Sequence, residues 1–125
     1  MKALIMLYGR LRRADIGDVE LLPEGVKVKM PAKMRWWFIL NPAIAQWFIR
    51  SGELVIPYPS IVGLELIHEK AGLLTPRTPF IRLHFRDMQG VGNSITFAAY
   101  GWTKTSTKPE ETLALYEEIR RRTGR

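Results

Sequence analysis

Cysteine is absent from the 125 residues of this chain. Its absence excludes disulfide bonds, thiol catalysis and cysteine-ligated metal sites. The two histidines, His68 and His84, stand in no HxH or HExxH spacing, and none of the four serines has a GxSxG setting. A metal site needs several converging ligands. These absences favour a protein that is not an enzyme and holds no cofactor, and a small enzyme that uses His68 or His84 is the less favoured alternative.

Long apolar runs are also missing. No segment reaches the roughly 20 apolar residues that a membrane-spanning helix needs. The apolar run after Lys2 is short, ends at Gly9-Arg10 and is followed by no small-residue cleavage site, so we expect a buried strand or short helix there rather than a signal peptide. We expect a single domain over residues 1–125, located in the cytoplasm or peripherally on the inner face of the membrane.

Positive charge is in excess. The formal net charge is +7 and the isoelectric point is about 10.1. Such a balance indicates anionic partners, either nucleic acid or lipid headgroups, although arginines near the chain ends are also common in solvated tails.

Two segments show the strict alternation of half-buried strands. In Val26–Met30 the apolar residues alternate with lysines, and in Phe80–Arg86 they alternate with basic residues. If both strands belong to one sheet, their outward side chains form a positive surface suited to phosphates. The alternative is a solvated sheet face without a ligand. The outward residues are Lys27, Lys29, Arg82, His84 and Arg86.

The remaining pattern predicts a mainly β (α+β) chain. Val19–Leu22 is the expected hairpin partner of Val26–Met30, and Lys70–Pro79 is an expected loop. Further strands are expected at Glu53–Ile56, at Ile61–Glu69 with a bulge at Gly63, and at Ser94–Gly101. A capping box, Thr107 to Glu110, predicts a final helix with Thr112, Leu115, Tyr116 and Ile119 on one face.

The segment between Arg35 and Arg50 is uncharged and rich in tryptophan. Trp36–Leu40 reads as a strand, and Asn41-Pro42 as the start of a helix that runs to about Arg50. Such apolar surface fits insertion into a membrane interface, a homodimer contact or the core. The candidate membrane or partner contacts are Trp36, Trp37, Ile44, Trp47 and Phe48.

Five stretches together resemble the pleckstrin-homology-like superfold, in the form of GRAM and bacterial PH-like domains. They are GVKVKM, ELVIPYPSIVGLELI, FIRLHF, ITFAAYG and PEETLALYEEIRR, and the resemblance covers roughly Val26 to Arg122. The resemblance implies an antiparallel β-sandwich or partly open barrel capped by a C-terminal helix, here with the tryptophan segment as a hydrophobic insertion. It also implies binding of phosphoinositides, membrane surfaces or proteins. The basic motif that some lipid-binding PH domains show between early strands has no secure counterpart here, so no lipid-binding residue is carried over.

These observations lead to one expected function and one alternative. We expect a non-enzymatic binding module that engages anionic lipid headgroups or a protein partner through its basic strand faces and the tryptophan-rich segment, with a homodimer as a further option. The alternative is a nucleic-acid-binding domain that uses the same basic residues, for which Tyr100 is the candidate stacking residue on those strands.

Overall fold

The computed structural model describes residues 1–7, 13–29, 48–49, 53–70, 75–86, 90, 92–102 and 106–124. These residues form eight strands and one α-helix. The strands are β1 (Lys2–Leu7), β2 (Arg13–Leu21), β3 (Gly25–Lys29), β4 (Phe48–Ile49), β5 (Glu53–Pro57), β6 (Ile61–Lys70), β7 (Arg77–Arg86) and β8 (Gly92–Ala99), and the helix is α1 (Pro109–Thr123).

All eight strands belong to one antiparallel sheet with the order β4-β5-β3-β2-β1-β8-β7-β6. In the described part of the chain, β4 and β6 end the sheet and do not pair, so the sheet is not closed. The prediction of a mainly β chain with a final helix is therefore confirmed. The expected hairpin between Val19–Leu22 and Val26–Met30 is also present, as β2 paired with β3.

A short connection forces this sheet to curl. β5 and β6 are six strand steps apart in the sheet order, a span of about 29 Å if the sheet were flat. Only the 3-10 turn Tyr58–Ser60 joins them, and a chain of that length reaches about 14 Å. The two sides of the sheet must therefore bend towards each other around a common interior.

The inner face of the curled sheet carries the main core. One apolar cluster takes residues from β1, β2, β3, β5, β6, β7 and β8, with Phe85, Phe97, Leu54 and Ile56 among the largest buried side chains. Helix α1 covers this face through Ile119, Leu115 and Tyr116. The helix face predicted from the sequence is confirmed. Burial of each large apolar side chain stabilises the fold by about 1.5–3 kcal/mol.

A second, smaller cluster lies on the outer face. Leu4, Met6, Phe80 and Ala98 are buried there, and Ile16, Ile67 and Tyr100 pack around them. The middle strand β1 therefore buries both of its faces, which explains its uninterrupted apolar sequence.

Several local predictions were wrong at their edges. Phe48 and Ile49, expected in the last turn of a helix, form β4 instead. β7 begins at Arg77, inside the expected loop. The bulge predicted at Gly63 is confirmed by a register shift between Ile61 and Gly63.

The expected capping box is also absent. Lys108 occupies the N-cap position of α1 without a side-chain cap, and the buried Thr107 hydroxyl makes no hydrogen bond within the described chain. Thr107 stands one residue too early for the capping geometry.

Thr112 joins the helix to the sheet. Its buried hydroxyl accepts a hydrogen bond from the Ala99 N–H at 3.0 Å and donates one to the Lys108 carbonyl at 2.8 Å. The Lys108 N–H in turn donates to the Ala99 carbonyl. The backbone N–H and carbonyl of Ala99, at the end of β8, thus both find hydrogen-bond partners at the start of α1. These bonds fix the helix over the inner face.

A second junction closes the corner at the 3-10 turn. The Tyr58 hydroxyl donates to the Leu22 carbonyl at 2.7 Å, and Arg122 Nη1 donates to that hydroxyl and to the same carbonyl, both at 3.2 Å. Nearby, a Cβ on Gly25 would lie 2.3 Å from the Ile56 carbonyl oxygen, so only glycine permits this approach of β3 to β5.

Replacing Thr112 by valine keeps its shape and removes its hydroxyl. We expect the free energy of unfolding to fall by about 1–3 kcal/mol because the buried Ala99 N–H loses its acceptor. Chemical denaturation measures the change. Thr112→Ser retains the hydroxyl and should lose less than half as much; equal losses in both variants would show that the hydrogen bond is not the cause.

Tyr58→Phe should lower the free energy of unfolding by about 1 kcal/mol, because the Leu22 carbonyl loses its shortest hydrogen bond. Tyr116→Phe is the matched control, since the Tyr116 hydroxyl makes no hydrogen bond with a described residue. Denaturation midpoints of the two variants decide the matter, and equal midpoints would contradict a stabilising role for the Tyr58 junction.

Candidate anion-binding face

The five predicted basic residues lie on one face of one sheet. Residues opposite each other in an antiparallel sheet share a face, so the face can be followed through the register from β3 to β7. The connecting pairs are Lys27 with Glu20, Lys2 with Asp18, Met6 with Thr96, and Thr96 with Arg82. Lys27, Lys29, Arg82, His84 and Arg86 therefore all belong to the outer face, opposite the face that α1 covers.

The outer face is not one continuous basic surface. Four strand steps, about 19 Å, separate the lysines of β3 from the arginines of β7. The strip between them contains Leu4, Met6, Thr96 and Ala98, all of which are buried. The two basic sets therefore form separate patches, which we term the β3 patch and the β7 row.

In the β3 patch, carboxylates compensate the lysines. Lys27 Nζ lies 2.9 Å from Glu20 Oε2, and this hydrogen bond lowers the pKa of Glu20 and raises the pKa of Lys27. Asp18 and Glu53 flank Lys29 in the register. Together with Met1 these residues line a shallow depression of about 220 Å³. The patch offers both signs of charge rather than a purely positive surface.

The β7 row places Arg82, His84 and Arg86 at alternate positions of a single strand. Glu65 on β6 faces the first two: its Oε2 is 3.1 Å from His84 Nε2 and 4.0 Å from Arg82 Nη1. The hydrogen bond from His84, helped by the charges of His84 and Arg82, lowers the pKa of the Glu65 carboxyl. One carboxylate is thus shared by two basic side chains.

Arg86 ends the row at the last position of β7. Its side chain is exposed and, among the described residues, it forms no ion pair with a carboxylate. The row therefore keeps a positive excess of one arginine, plus whatever charge His84 carries. This is the stronger anion-binding candidate of the two patches.

The two histidines do not meet. His84 opposes Gly63 in the register, while His68 opposes Pro79 further along β6, and strand alternation puts His68 on the inner side. Within the described residues, no group of three or more His, Asp or Glu side chains converges as a metal site requires. The same residues contain no helix with the length and apolarity needed to cross a membrane.

The predicted apolar contacts are not placed by the structure. Trp36, Trp37, Ile44 and Trp47 lie outside the described residues, and for Phe48 the structure gives its strand position in β4. Their role as a membrane or partner contact stays a prediction.

Sequence reasoning missed the acidic residues on the outer face. Glu20 and Glu65 neutralise much of the charge predicted there. The local signal for Glu20 was present, because Asp18, Val19 and Glu20 alternate in the same way as the lysines of β3. Which carboxylate faces which cation, however, depends on cross-strand register.

Comparisons with protein-family models, curated proteins and solved structures found no match. The functional argument for this chain consequently rests on the residues of the outer face and their surroundings.

The shared Glu65 carboxylate should make stability sensitive to acid. Folding lowers the pKa of Glu65 from its ordinary value of 4.5. Its ionised carboxylate therefore stabilises the fold when the pH is above 4.5, and that contribution is lost as the pH falls through the folded pKa. Glu65→Gln should therefore differ from the parent near pH 6 and converge with it at lower pH. Thermal unfolding from pH 6 to pH 2 measures this, with Glu24→Gln as an unpaired turn control. A constant difference at every pH would refute the linkage.

Proposed function

We propose that this chain is a non-enzymatic PH-like binding module that engages an anionic membrane surface or a protein partner through its outer sheet face. The observation that carries the proposal is the β7 row, in which Arg82, His84 and Arg86 follow one another on the face opposite the helix. A curved antiparallel sheet with a final helix across its inner face is the arrangement that the resemblance implies, and it supports the same proposal.

The spacing of the row suits several anionic groups at once. Alternate residues of a strand are about 6.6–6.8 Å apart, so three basic side chains reach over about 13 Å of surface. An anion that approaches Arg82 or His84 has to compete with Glu65, whereas Arg86 meets no described competitor. We therefore expect Arg86 to contribute most to binding, and the β3 patch to contribute least.

A membrane surface is favoured over a nucleic acid by the aromatic residues. Nucleic acid bound at the β7 row would need exposed rings beside that row for base stacking, and Trp102 lies beyond the end of β8 that is opposite to the one paired with Arg86. Tyr100 is half-buried against the outer apolar cluster, and Lys2 Nζ lies 6.0 Å from the centre of its ring. Its face is thus already in contact with a cation of the same chain. Peripheral association with the cytoplasmic membrane face requires only the basic side chains.

Binding to vesicles tests the proposal. Arg82→Gln combined with Arg86→Gln should weaken sedimentation with vesicles of phosphatidylcholine and phosphatidylserine by about thirtyfold at low salt, at roughly 1 kcal/mol for each of the two basic residues. The binding of the parent protein should fall as salt increases. Vesicles of phosphatidylcholine alone should bind neither protein.

Two double variants with the same charge loss serve as controls. Arg120→Gln with Arg121→Gln removes two exposed arginines from α1, on the opposite side of the sheet, and should change binding by less than twofold. Lys27→Gln with Lys29→Gln separates the two patches. Equal losses in all three variants would indicate a response to net charge alone, and single-stranded oligonucleotide binding without vesicle binding would favour the nucleic-acid alternative.

A further inference from the structure

Trp102 is the most exposed of the large apolar side chains that the structure describes, with 86% of its surface accessible. The next is Met1 at 46%. An indole buries a large apolar area when it finds a partner, so a fully exposed one marks a candidate contact site.

The backbone that carries Trp102 is tightly held. The Trp102 N–H donates to Ser106 Oγ at 2.9 Å, and the Gly101 N–H donates to the Ser106 carbonyl at 3.0 Å. A bridge between Tyr100 and Thr107 closes the same turn. A Cβ on Gly101 would lie 2.9 Å from the Ser106 carbonyl carbon, so the closure requires glycine. The indole is therefore presented from a fixed base, which lowers the entropy cost of binding.

Two lysines, Lys2 and Lys108, lie near Trp102 at one end of the sheet, and Lys108 Nζ lies 3.6 Å from Glu111 Oε1. Tyr100 donates its N–H to the Lys2 carbonyl, and the Lys108 N–H donates to the Ala99 carbonyl. Lys2 is thus hydrogen-bonded to the residue two positions before Trp102, and Lys108 to the residue three positions before it. Met1 precedes Lys2 at the same end of β1. We call this surface, formed by Met1, Lys2, Trp102 and Lys108, the Trp102 tip.

We infer that the Trp102 tip inserts its indole into the headgroup region of an anionic membrane while Lys2, which forms no ion pair with a described carboxylate, contacts the lipid phosphates. Tryptophan is enriched at the membrane–water interface, and neighbouring lysines strengthen attachment to anionic lipid. The inference rests on the proposed function, because it names a point of insertion for the membrane contact proposed for the outer face.

The composition of the tip favours lipid over a protein partner. A protein interface of ordinary size buries about 800 Å² on each side around an apolar centre. Outside the tip, the described residues expose two other large apolar side chains. Val62 lies at the end of β6 that is away from the tip, and Leu113 lies on α1, so neither extends the apolar surface around Trp102. A single indole with flanking cations is sufficient for an interfacial anchor.

The test uses the full chain with vesicles of phosphatidylcholine and phosphatidylserine at low salt. Trp102→Ser should weaken sedimentation by about tenfold, through loss of the buried indole. Val62→Thr, which makes an exposed apolar side chain on β6 polar, should change it by less than twofold. Because the chain has four tryptophans, the emission of the parent minus that of Trp102→Phe isolates Trp102. Lipids with a spin label near the headgroup should quench that difference signal.

The outcomes separate the two proposals. Binding by the parent with unchanged binding by Trp102→Ser, or with no quenching of the Trp102 signal, overturns the insertion and leaves the outer-face proposal in place. Failure of the parent to bind anionic vesicles at low salt overturns both. Weakened binding of Trp102→Ser together with quenching supports the tip.

Discussion

The three-residue turn between β5 and β6 is the constraint on which the rest of the structure depends. It joins strands from opposite sides of a sheet that would be about 29 Å wide if flat. Curling is the way to satisfy this connection, and curling creates an interior that seven strands and one helix fill. The hydrogen bonds of Tyr58 and Arg122 with the Leu22 carbonyl, and the close approach at Gly25, stabilise the corner where the turn lies.

Curling also gives the two faces of the sheet different roles. The inner face is filled by the core and covered by α1, whose position is fixed by Thr112 at one end and Arg122 at the other. Charged side chains of the central strands must then appear on the outer face or at the sheet ends. The β7 row and the Trp102 tip occupy those two locations, so both proposed contacts follow from the way in which the sheet curls around its core.

Charge compensation limits what the outer face can do. Exposed ion pairs such as Lys27 with Glu20 contribute little to stability, so their larger effect is on the potential that an approaching anion meets. Glu65 has the same effect on Arg82 and His84. A net charge of +7 therefore overstates the positive potential of this face. The positive potential of the outer face is greatest at Arg86, which pairs with no described carboxylate.

The sequence by itself determined strands β3 and β7, because the alternation of Val26–Met30 and Phe80–Arg86 is a local pattern with the period of a pleated strand. It also determined the apolar face of α1, from Thr112 to Ile119, and the outward position of all five basic residues. The predicted capping box is absent because Thr107, although of a residue type that caps helices, lies one residue before the N-cap position.

Only the tertiary structure decided which residues face one another. The pairing of Glu65 with His84, the strip of buried residues that divides the basic patches, and the exposure of Trp102 all depend on contacts between segments distant in sequence. Such contacts are set by strand order and register, and a local pattern carries neither.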